Sequence, residues 1–345
     1  MKKLIPLFLV LASFSVRAQN LENRQKLESI GDVKLQSGQQ INDCKIGYLT
    51  YGKLNDTKKN AILFPSWFLG TAQQIAATVR PWRFVDTTRY FLIIADALAN
   101  GVSTSPSNSA TQHGASFPVI SISDMVEAHH QLLIQKFGIK HLHAIVGMSM
   151  GAFQAYQWAV TYPDFVDCMV PIAGSPQLTS YDILQTKAII AAIDDSPAFN
   201  HGAYTTNPSI PLARLLLMLS ITTPANIAKT VSVANVNASM RAVALSPNDW
   251  NDFRTQLTAC MNQDISRPFN GSLSEAAKHI KAKMLIVNNR QDHLVNPAPA
   301  IEFAKLISAK LIVFDTELGH TGVDYSDSTF KASVKELLKA KKPGQ

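Results

Sequence analysis

Residues 141–159 have the sequence HLHAIV-GMSMG-AFQAYQWA, and this stretch decides the fold. Its first block is a short apolar run that favours a buried strand, and its last block is rich in good helix formers. The pentapeptide Gly147-Met148-Ser149-Met150-Gly151 between them has the form G-x-S-x-G, typical of a sharp strand-to-helix turn that exposes a serine hydroxyl. Glycines without β-carbons let strand and helix approach closely there. The stretch therefore predicts a reactive Ser149 beside free N–H groups at the start of a helix.

Outward from this turn, apolar runs alternate with amphipathic segments. A helix is predicted from Asp124 to Gly138, and residues 44–54 predict an early strand pair with a turn near Gly52. Continuous apolar strands that alternate with helices indicate an α/β fold with a mostly parallel, doubly wound sheet covered on both faces. Further strands are predicted at 61–64, 90–95, 168–173, 282–287 and 311–314, and a further helix at 298–307.

The pattern changes between residues 175 and 280, where polar connectors join helical segments and no strong strand pattern occurs. We predict that residues 175–280 form a helical cap inserted into a core made of residues 19–174 and 281–345. Helices are predicted within the cap at 183–192, 211–221 and 224–232. The chain has three cysteines, Cys44, Cys168 and Cys260, whose spacing is no metal-binding pattern and leaves room for one disulfide.

Residues 1–18 have the form of a cleavable signal peptide. Lys2 and Lys3 precede an apolar run, and Ala18 ends a plausible cleavage site. The run is too short for a membrane span, so we expect a periplasmic or secreted protein without a stable membrane anchor. Cleavage would remove three basic residues and no acid, so the formal net charge would fall from +7 to +4. No basic cluster interleaved with aromatic residues is present, and nucleic-acid binding is not expected.

A serine nucleophile needs a general base and a third group that orients the base. Enzymes with this turn carry them in the chain order serine, acid, histidine. Asp292 and His320 fit that order, and each follows a predicted buried strand, so both should lie at the same sheet edge as Ser149. His293 and Asp315 are the competing base and acid, and the remaining histidines are expected to be structural.

The reaction also needs two N–H donors for the oxyanion. One should be the backbone N–H of Met150, directly after the nucleophile, and we place the other at Phe68, in the loop after the 61–64 strand. Trp67 and Met148 are the candidate substrate-binding residues, because they flank these positions and are apolar.

These residues and the segments around them resemble the homoserine O-acetyltransferase family of the α/β-hydrolase superfamily. The similarity extends from about Tyr48 to Val334, and it implies an α/β-hydrolase fold in which Ser149, Asp292 and His320 form the triad. It also implies a ping-pong route, in which the serine takes an acyl group from a thioester and passes it to an alcohol. The matching segments are 89–91, 117–126, 147–159, 162–164, 202–204 and 212–214.

Four motifs depart from the family pattern. The elbow is G-M-S-M-G-A rather than G-G-S-M-G-G, and the oxyanion loop is S-W-F-L-G rather than H-A-L-T-G. The cap arginine that can hold an amino-acid carboxylate falls in a run that here is Thr222-Thr223-Pro224, and the aspartate after the catalytic histidine is Thr321. Without these two charged partners, and outside the cytoplasm that holds acetyl-CoA, homoserine is not the expected substrate.

The sequence thus predicts an exported serine hydrolase that cleaves an ester or related acyl bond of a small-molecule substrate through an acyl-enzyme and requires no metal or cofactor. An O-acyltransferase is the alternative, because its chemistry is identical until water or an alcohol reaches the acyl-enzyme. A non-catalytic binding protein that keeps the fold is a third hypothesis. Whether the chain forms a homodimer is left open.

Overall fold

A computed structural model describes residues 24–79, 85–244 and 248–339. Eight strands form one sheet in the order β1-β2-β4-β3-β5-β6-β7-β8. The second strand pairs antiparallel with the first and fourth, and the remaining neighbours pair in parallel. The predicted fold class is confirmed. The strands are β1 (Lys26–Lys34), β2 (Gln40–Tyr51), β3 (Ala61–Pro65), β4 (Phe91–Ala95), β5 (Leu142–Met148), β6 (Val166–Ile172), β7 (Lys283–Asn289) and β8 (Lys310–Phe314).

Helices cover both faces of the sheet because its central strands are apolar on both sides. Successive residues of β3 illustrate this: Leu63 belongs to one buried cluster and Ile62 to the other. The first cluster includes residues of the helices α2 (Ile122–Phe137), α3 (Met150–Thr161) and α10 (Ala298–Leu306), and the second includes residues of α1 (Ala72–Val79) and α11 (Ser328–Lys339). The helices are α1 (Ala72–Val79), α2 (Ile122–Phe137), α3 (Met150–Thr161), α4 (Ser180–Asp194), α5 (Pro211–Ile221), α6 (Pro224–Thr230), α7 (Val236–Ala244), α8 (Trp250–Met261), α9 (Leu273–Lys278), α10 (Ala298–Leu306) and α11 (Ser328–Lys339).

Two expectations for the first half of the chain were wrong. The stretch from Cys44 to Leu54 is not a strand pair: β2 is one strand of 12 residues, and its antiparallel partners are β1 and β4. Strand β1 was not predicted because it lies at the sheet edge, where most of its residues are exposed. Helix α2 begins at Ile122, ahead of Asp124, because Ser121 is the N-cap and forms a capping box with Asp124.

The segment between β6 and β7 contains six helices, α4 to α9, and no strand longer than one bridge in its described residues. It has a hydrophobic cluster of its own, which includes Ile189, Trp250 and Phe253. The boundaries of the cap, and the division into core and cap, stay predictions. Among the described residues no single helix is long and apolar enough to cross a membrane; only α5 and α6 taken together meet that test, and they are bent by 105°. The predicted signal peptide lies outside the described residues.

The three cysteines are free thiols, so the one disulfide that export would allow is not formed in this structure. Burial raises the pKa of the Cys44 and Cys168 thiols to about 12. Both therefore behave as small buried apolar residues at neutral pH.

The turn before α3 is tightly packed at Gly147. A β-carbon there would collide with the backbone carbonyl of Gly151, which cannot swing aside as a side chain can. We expect Gly147→Ala to lower the free energy of unfolding by about 3 kcal/mol, the upper range for overpacking. The matched control is Gly38→Ala, where a β-carbon meets nothing within 4 Å and only the positive φ of +82° opposes it, at about 1 kcal/mol. Urea denaturation measures both; equal losses would contradict the close approach at the elbow.

Candidate active site

Ser149 sits in a strained backbone conformation between β5 and α3. Its φ of 54° and ψ of −122° lie where residues other than glycine rarely occur. Neighbouring backbone groups hold it there: its N–H donates to the Ile172 carbonyl at 2.9 Å, and its carbonyl accepts from the N–H of Ala152 at 2.8 Å. The side chain makes no capping bond to α3, which leaves the hydroxyl available to another partner.

That partner is His320. The Nε2 atom of His320 lies 2.8 Å from Ser149 Oγ, and its Nδ1 atom lies 2.7 Å from Asp292 Oδ2. The carboxylate can only accept, so Nδ1 carries the proton and Nε2 is left to accept from the serine hydroxyl. The other oxygen of Asp292 accepts from the N–H groups of Leu294 and Val295, each at 2.9 Å. The structure thus brings together the serine, histidine and acid that the sequence order selects.

The ends of β7 and β8 place these groups. Asn289, the last residue of β7, is fully buried. Its Nδ2 donates to the carbonyls of Thr316 and Gly319, at 2.9 and 2.7 Å, and its Oδ1 accepts from the Thr316 N–H at 2.9 Å. These three bonds fix the loop that carries His320. Sequence reasoning gave Asn289 no role, although an asparagine pair that ends a buried strand was a visible signal.

The competing residues lie elsewhere. Asp315 faces the surface, where its carboxylate accepts from Gln291 Nε2 at 2.7 Å and lies 3.4 Å from Arg290 Nε. His293 lines an open groove of about 520 Å³ whose lining includes Asp292 but neither Ser149 nor His320. Buried His129 contacts the Asp96 carbonyl through Nε2 at 3.0 Å, and burial lowers its pKa to about 4.

The two predicted oxyanion donors lie on segments that touch. The space beside Gly151 is closed by the Pro65 carbonyl, 2.6 Å from where a β-carbon would lie, so the start of α3 rests on the end of β3. Gln154 Nε2 joins the same elements by donating to the Ser66 carbonyl at 3.0 Å. Within the described residues, neither the Phe68 N–H nor the Met150 N–H has a hydrogen-bond partner. Their role as oxyanion donors stays a prediction.

Trp67 and Met148 are partly buried and pack against the same hydrophobic cluster, on the sheet face that carries α1 and α11. The indole of Trp67 also covers Gly70, where it leaves no room for a β-carbon. Their contact with substrate stays a prediction.

The structure adds a buried acid that the sequence did not single out. Asp252, in α8, accepts two bonds from Ser107, from N–H at 2.9 Å and from Oγ at 2.6 Å. Desolvation nevertheless raises its pKa to about 7. The folded protein therefore binds more protons at this carboxyl than the unfolded chain does between about pH 4 and 7, so its contribution to stability is lost as the pH rises through that range.

Asp252→Asn should remove this penalty. We expect the free energy of unfolding of the variant minus that of the wild type to be about 1–2 kcal/mol larger at pH 8 than at pH 5, because only the wild type loses stability as Asp252 ionises. Urea denaturation at the two pH values measures the difference. Other titrating groups cancel in the comparison, so a difference that does not change with pH would show that Asp252 is ionised throughout.

Comparison with known proteins identifies the fold family and its relatives. The sequence profile of the alpha/beta hydrolase fold matches residues 72–324. The chain is 31% identical over 326 residues to a probable esterase of Corynebacterium glutamicum (90% of this chain, 93% of that protein). It is 32% identical over 317 residues to an ethyl acetate hydrolase of Pseudomonas veronii (87% and 90%). The solved structure of the acetyl esterase MekB superposes with a TM-score of 0.84 at 30% identity and covers 92% of this chain and 98% of that one.

The chain therefore belongs to the alpha/beta hydrolase fold family. A homoserine O-acetyltransferase of Methanococcus vannielii is also a relative, 30% identical over 328 residues (80% of this chain, 64% of that protein), so the resemblance found in the sequence is confirmed. With esterases and homoserine acyltransferases as its relatives, the protein is an enzyme of the esterase or homoserine-acyltransferase type.

Proposed function

We propose that this protein is an exported serine esterase that hydrolyses esters of acetate, or of a similarly short acid, with uncharged alcohols. The observation that carries the proposal is the continuous contact from Ser149 Oγ through the His320 ring to Asp292, at 2.8 and 2.7 Å. Hydrogen-bond reach between nucleophile and base, with the base oriented by a third group, is the geometry that activates a hydroxyl.

In the proposed reaction, Ser149 Oγ attacks the acyl carbonyl while His320 Nε2 takes the hydroxyl proton. The N–H groups of Phe68 and Met150 stabilise the oxyanion of the tetrahedral intermediate. His320 then returns the proton to the departing alkoxide, and the alcohol leaves an acyl-serine behind. Water, deprotonated by His320, attacks that ester in the same way and releases the acid and the free hydroxyl. Asp292 keeps the proton on Nδ1 throughout and offsets the imidazolium charge.

The preference for uncharged alcohols is supported by the positions that depart from the homoserine acyltransferase pattern. Thr223 caps α6, and its hydroxyl donates to the Glu317 carbonyl at 2.6 Å. Thr321 Oγ1 donates to the Leu318 carbonyl at 3.1 Å. Both hydroxyls are bonded to backbone carbonyls and neither side chain is charged, so neither would hold a zwitterionic amino acid. The acyl group is suggested by relatives named ethyl acetate hydrolase and acetyl esterase.

The substrate proposal is tested with ethyl acetate, a series of p-nitrophenyl esters from acetate to octanoate, and acetyl-CoA plus homoserine. We expect kcat/KM to be highest for the acetate esters and expect no O-acetylhomoserine. Formation of O-acetylhomoserine at a rate comparable to ester hydrolysis would replace this proposal with the amino-acid acyltransferase.

Acyl transfer to another alcohol is the second candidate, favoured by the homoserine O-acetyltransferase relatives. It shares every step up to the acyl-serine. Product analysis with p-nitrophenyl acetate and increasing concentrations of an alcohol separates the two: a transferase gives mainly the new ester, and a hydrolase gives mainly acetate.

Export is supported by the sequence of residues 1–18, where two lysines precede an apolar run and Ala18 ends a small-residue cleavage site. Expression of the full chain in a bacterium, followed by mass spectrometry of the protein from the periplasm and medium, tests it. A mature chain that begins at Gln19 is expected; an intact Met1 in the cytoplasm would contradict export.

A further inference from the structure

One face of helix α8 in the predicted cap contacts the core loops that lie beside the active site. At its centre is Gln256, which is fully buried. Its Oε1 accepts from the Leu69 N–H at 2.7 Å, and its Nε2 donates to the Leu98 carbonyl at 2.7 Å. The amide orientation is determined by these partners, since the reverse would set donor against donor and acceptor against acceptor. One side chain therefore joins α8 to the loops after β3 and β4.

The contact acts on the loop that carries the proposed oxyanion donor. Leu69 follows Phe68 directly and has a positive φ of 54°, a conformation that a leucine adopts only when its surroundings enforce it. With the Leu69 N–H bonded to α8, the adjacent Phe68 N–H is left without a protein partner among the described residues. One turn before Gln256, Phe253 packs edge-on against the Phe68 ring, with centroids 5.0 Å apart at 83°.

We propose that Gln256 is a positioning residue that sets the oxyanion site from the cap, by holding Leu69 in its strained conformation so that the Phe68 N–H points at the developing charge. This inference rests on the proposed function. It makes α8 a fixed part of the catalytic geometry, and a cap movement that lifts α8 from the core would also dismantle the oxyanion site. Gln256 itself touches no reacting atom.

The proposal has a kinetic signature. Oxyanion donors bind the transition state more strongly than the substrate, so a displaced donor lowers kcat while KM changes little. A general loosening of the cap would instead change substrate binding or thermal stability. An inhibitor that forms a tetrahedral adduct with the serine, such as an alkylboronic acid, should lose affinity in step with kcat, because it uses the same donors.

The test compares Gln256→Met, which keeps the side-chain length but removes both hydrogen bonds, with Gln256→Glu, which keeps an acceptor towards the Leu69 N–H. On p-nitrophenyl acetate we expect Gln256→Met to lower kcat by roughly 10- to 100-fold, up to the loss of one oxyanion donor, with KM within about threefold of the wild-type value. Gln256→Glu should lower kcat by less. The inhibition constant of the boronic acid should rise by the same factors.

The matched control is Arg254→Met, on the same helix. Arg254 forms a two-bond ion pair with Asp194 of α4, at 2.6 and 2.8 Å, and does not bond to either loop. The variant should change the melting temperature without changing kcat. If the wild type is inactive on esters, the proposed function fails. If the wild type is active and folded Gln256→Met keeps its kcat, or loses no more than Arg254→Met, the positioning role is overturned. Should Gln256→Met not fold, Gln256→Leu, which also lacks both hydrogen bonds, takes its place with the same criterion.

Discussion

Ester hydrolysis is expected to fall by roughly 10⁴- to 10⁶-fold when Ser149 is replaced with alanine, since removal of a serine nucleophile leaves only the oxyanion donors and binding to accelerate the reaction. Among the residues that the structure describes, the hydroxyl has one hydrogen-bond partner, His320, and it makes no capping bond to α3. The free energy of unfolding should therefore stay close to that of the wild type. Initial rates on p-nitrophenyl acetate measure the loss of hydrolysis. Treatment with a fluorophosphonate tests the hydroxyl directly, because the variant should no longer be labelled covalently.

The control for this experiment is Ser328→Ala, at an exposed serine that starts α11, which should keep both the rate and the label. A folded Ser149→Ala variant that hydrolyses the ester within tenfold of the wild-type rate would remove Ser149 from the reaction. Labelling of the wild type at Ser149 without any ester hydrolysis would instead leave the nucleophile in place and reject the substrate class.

The fold could be predicted because its central strands are buried on both faces. Such strands appear in a sequence as unbroken apolar runs, and β3 and β4 are buried at every residue. Strand β1 was missed for the complementary reason. It lies at the edge of the sheet, where six of its nine residues are exposed, so neither periodicity nor hydropathy distinguishes it from a loop.

Some residues of the candidate active site could likewise be predicted from the sequence, and others could not. Ser149, Asp292 and His320 could be selected because each follows a strand and because their order along the chain is restricted. The residues that hold them in place had no such rule. Gln256 is 187 residues from Leu69 along the chain, and no local sequence pattern predicts a contact between a cap helix and a core loop. Asn289 lies nearer to its partners, 27 and 30 residues away, but its role depends on how the loop before His320 folds back on β7.

The proposed substrate preference is linked to these packing contacts. The turn at Thr222 and Thr223 lies against the loop that carries His320, since a β-carbon on Gly319 would lie 2.6 Å from the Ile221 carbonyl. Thr223 also bonds to the Glu317 carbonyl in that loop. Where the acyltransferase resemblance implies an arginine for a substrate carboxylate, this chain therefore has an uncharged turn that packs against the loop of His320.

Asp292→Asn should lower kcat by roughly 10⁴-fold, because the amide reverses the tautomer of His320. Asp292 Oδ1 accepts two backbone N–H groups, from Leu294 and Val295, so the oxygen of an asparagine would stay on that side. Its NH₂ group would then face His320 Nδ1, in place of the oxygen that now lies 2.7 Å away. Nδ1 must become the acceptor, the ring proton moves to Nε2, and Nε2 can no longer take the proton of Ser149.

The fold should survive this change because both backbone donors keep their acceptor, and circular dichroism with a melting curve checks that it does. Asp315→Asn is the matched control: it removes the charge of the competing acid, whose partners are the surface residues Gln291 and Arg290. Its rate on p-nitrophenyl acetate should stay within about threefold of the wild type, since exposed ion pairs contribute little. A large loss for Asp315→Asn beside a small one for Asp292→Asn would mean that His320 is oriented by the other acid, and that the hydrogen bond at Asp292 is not the one used in catalysis.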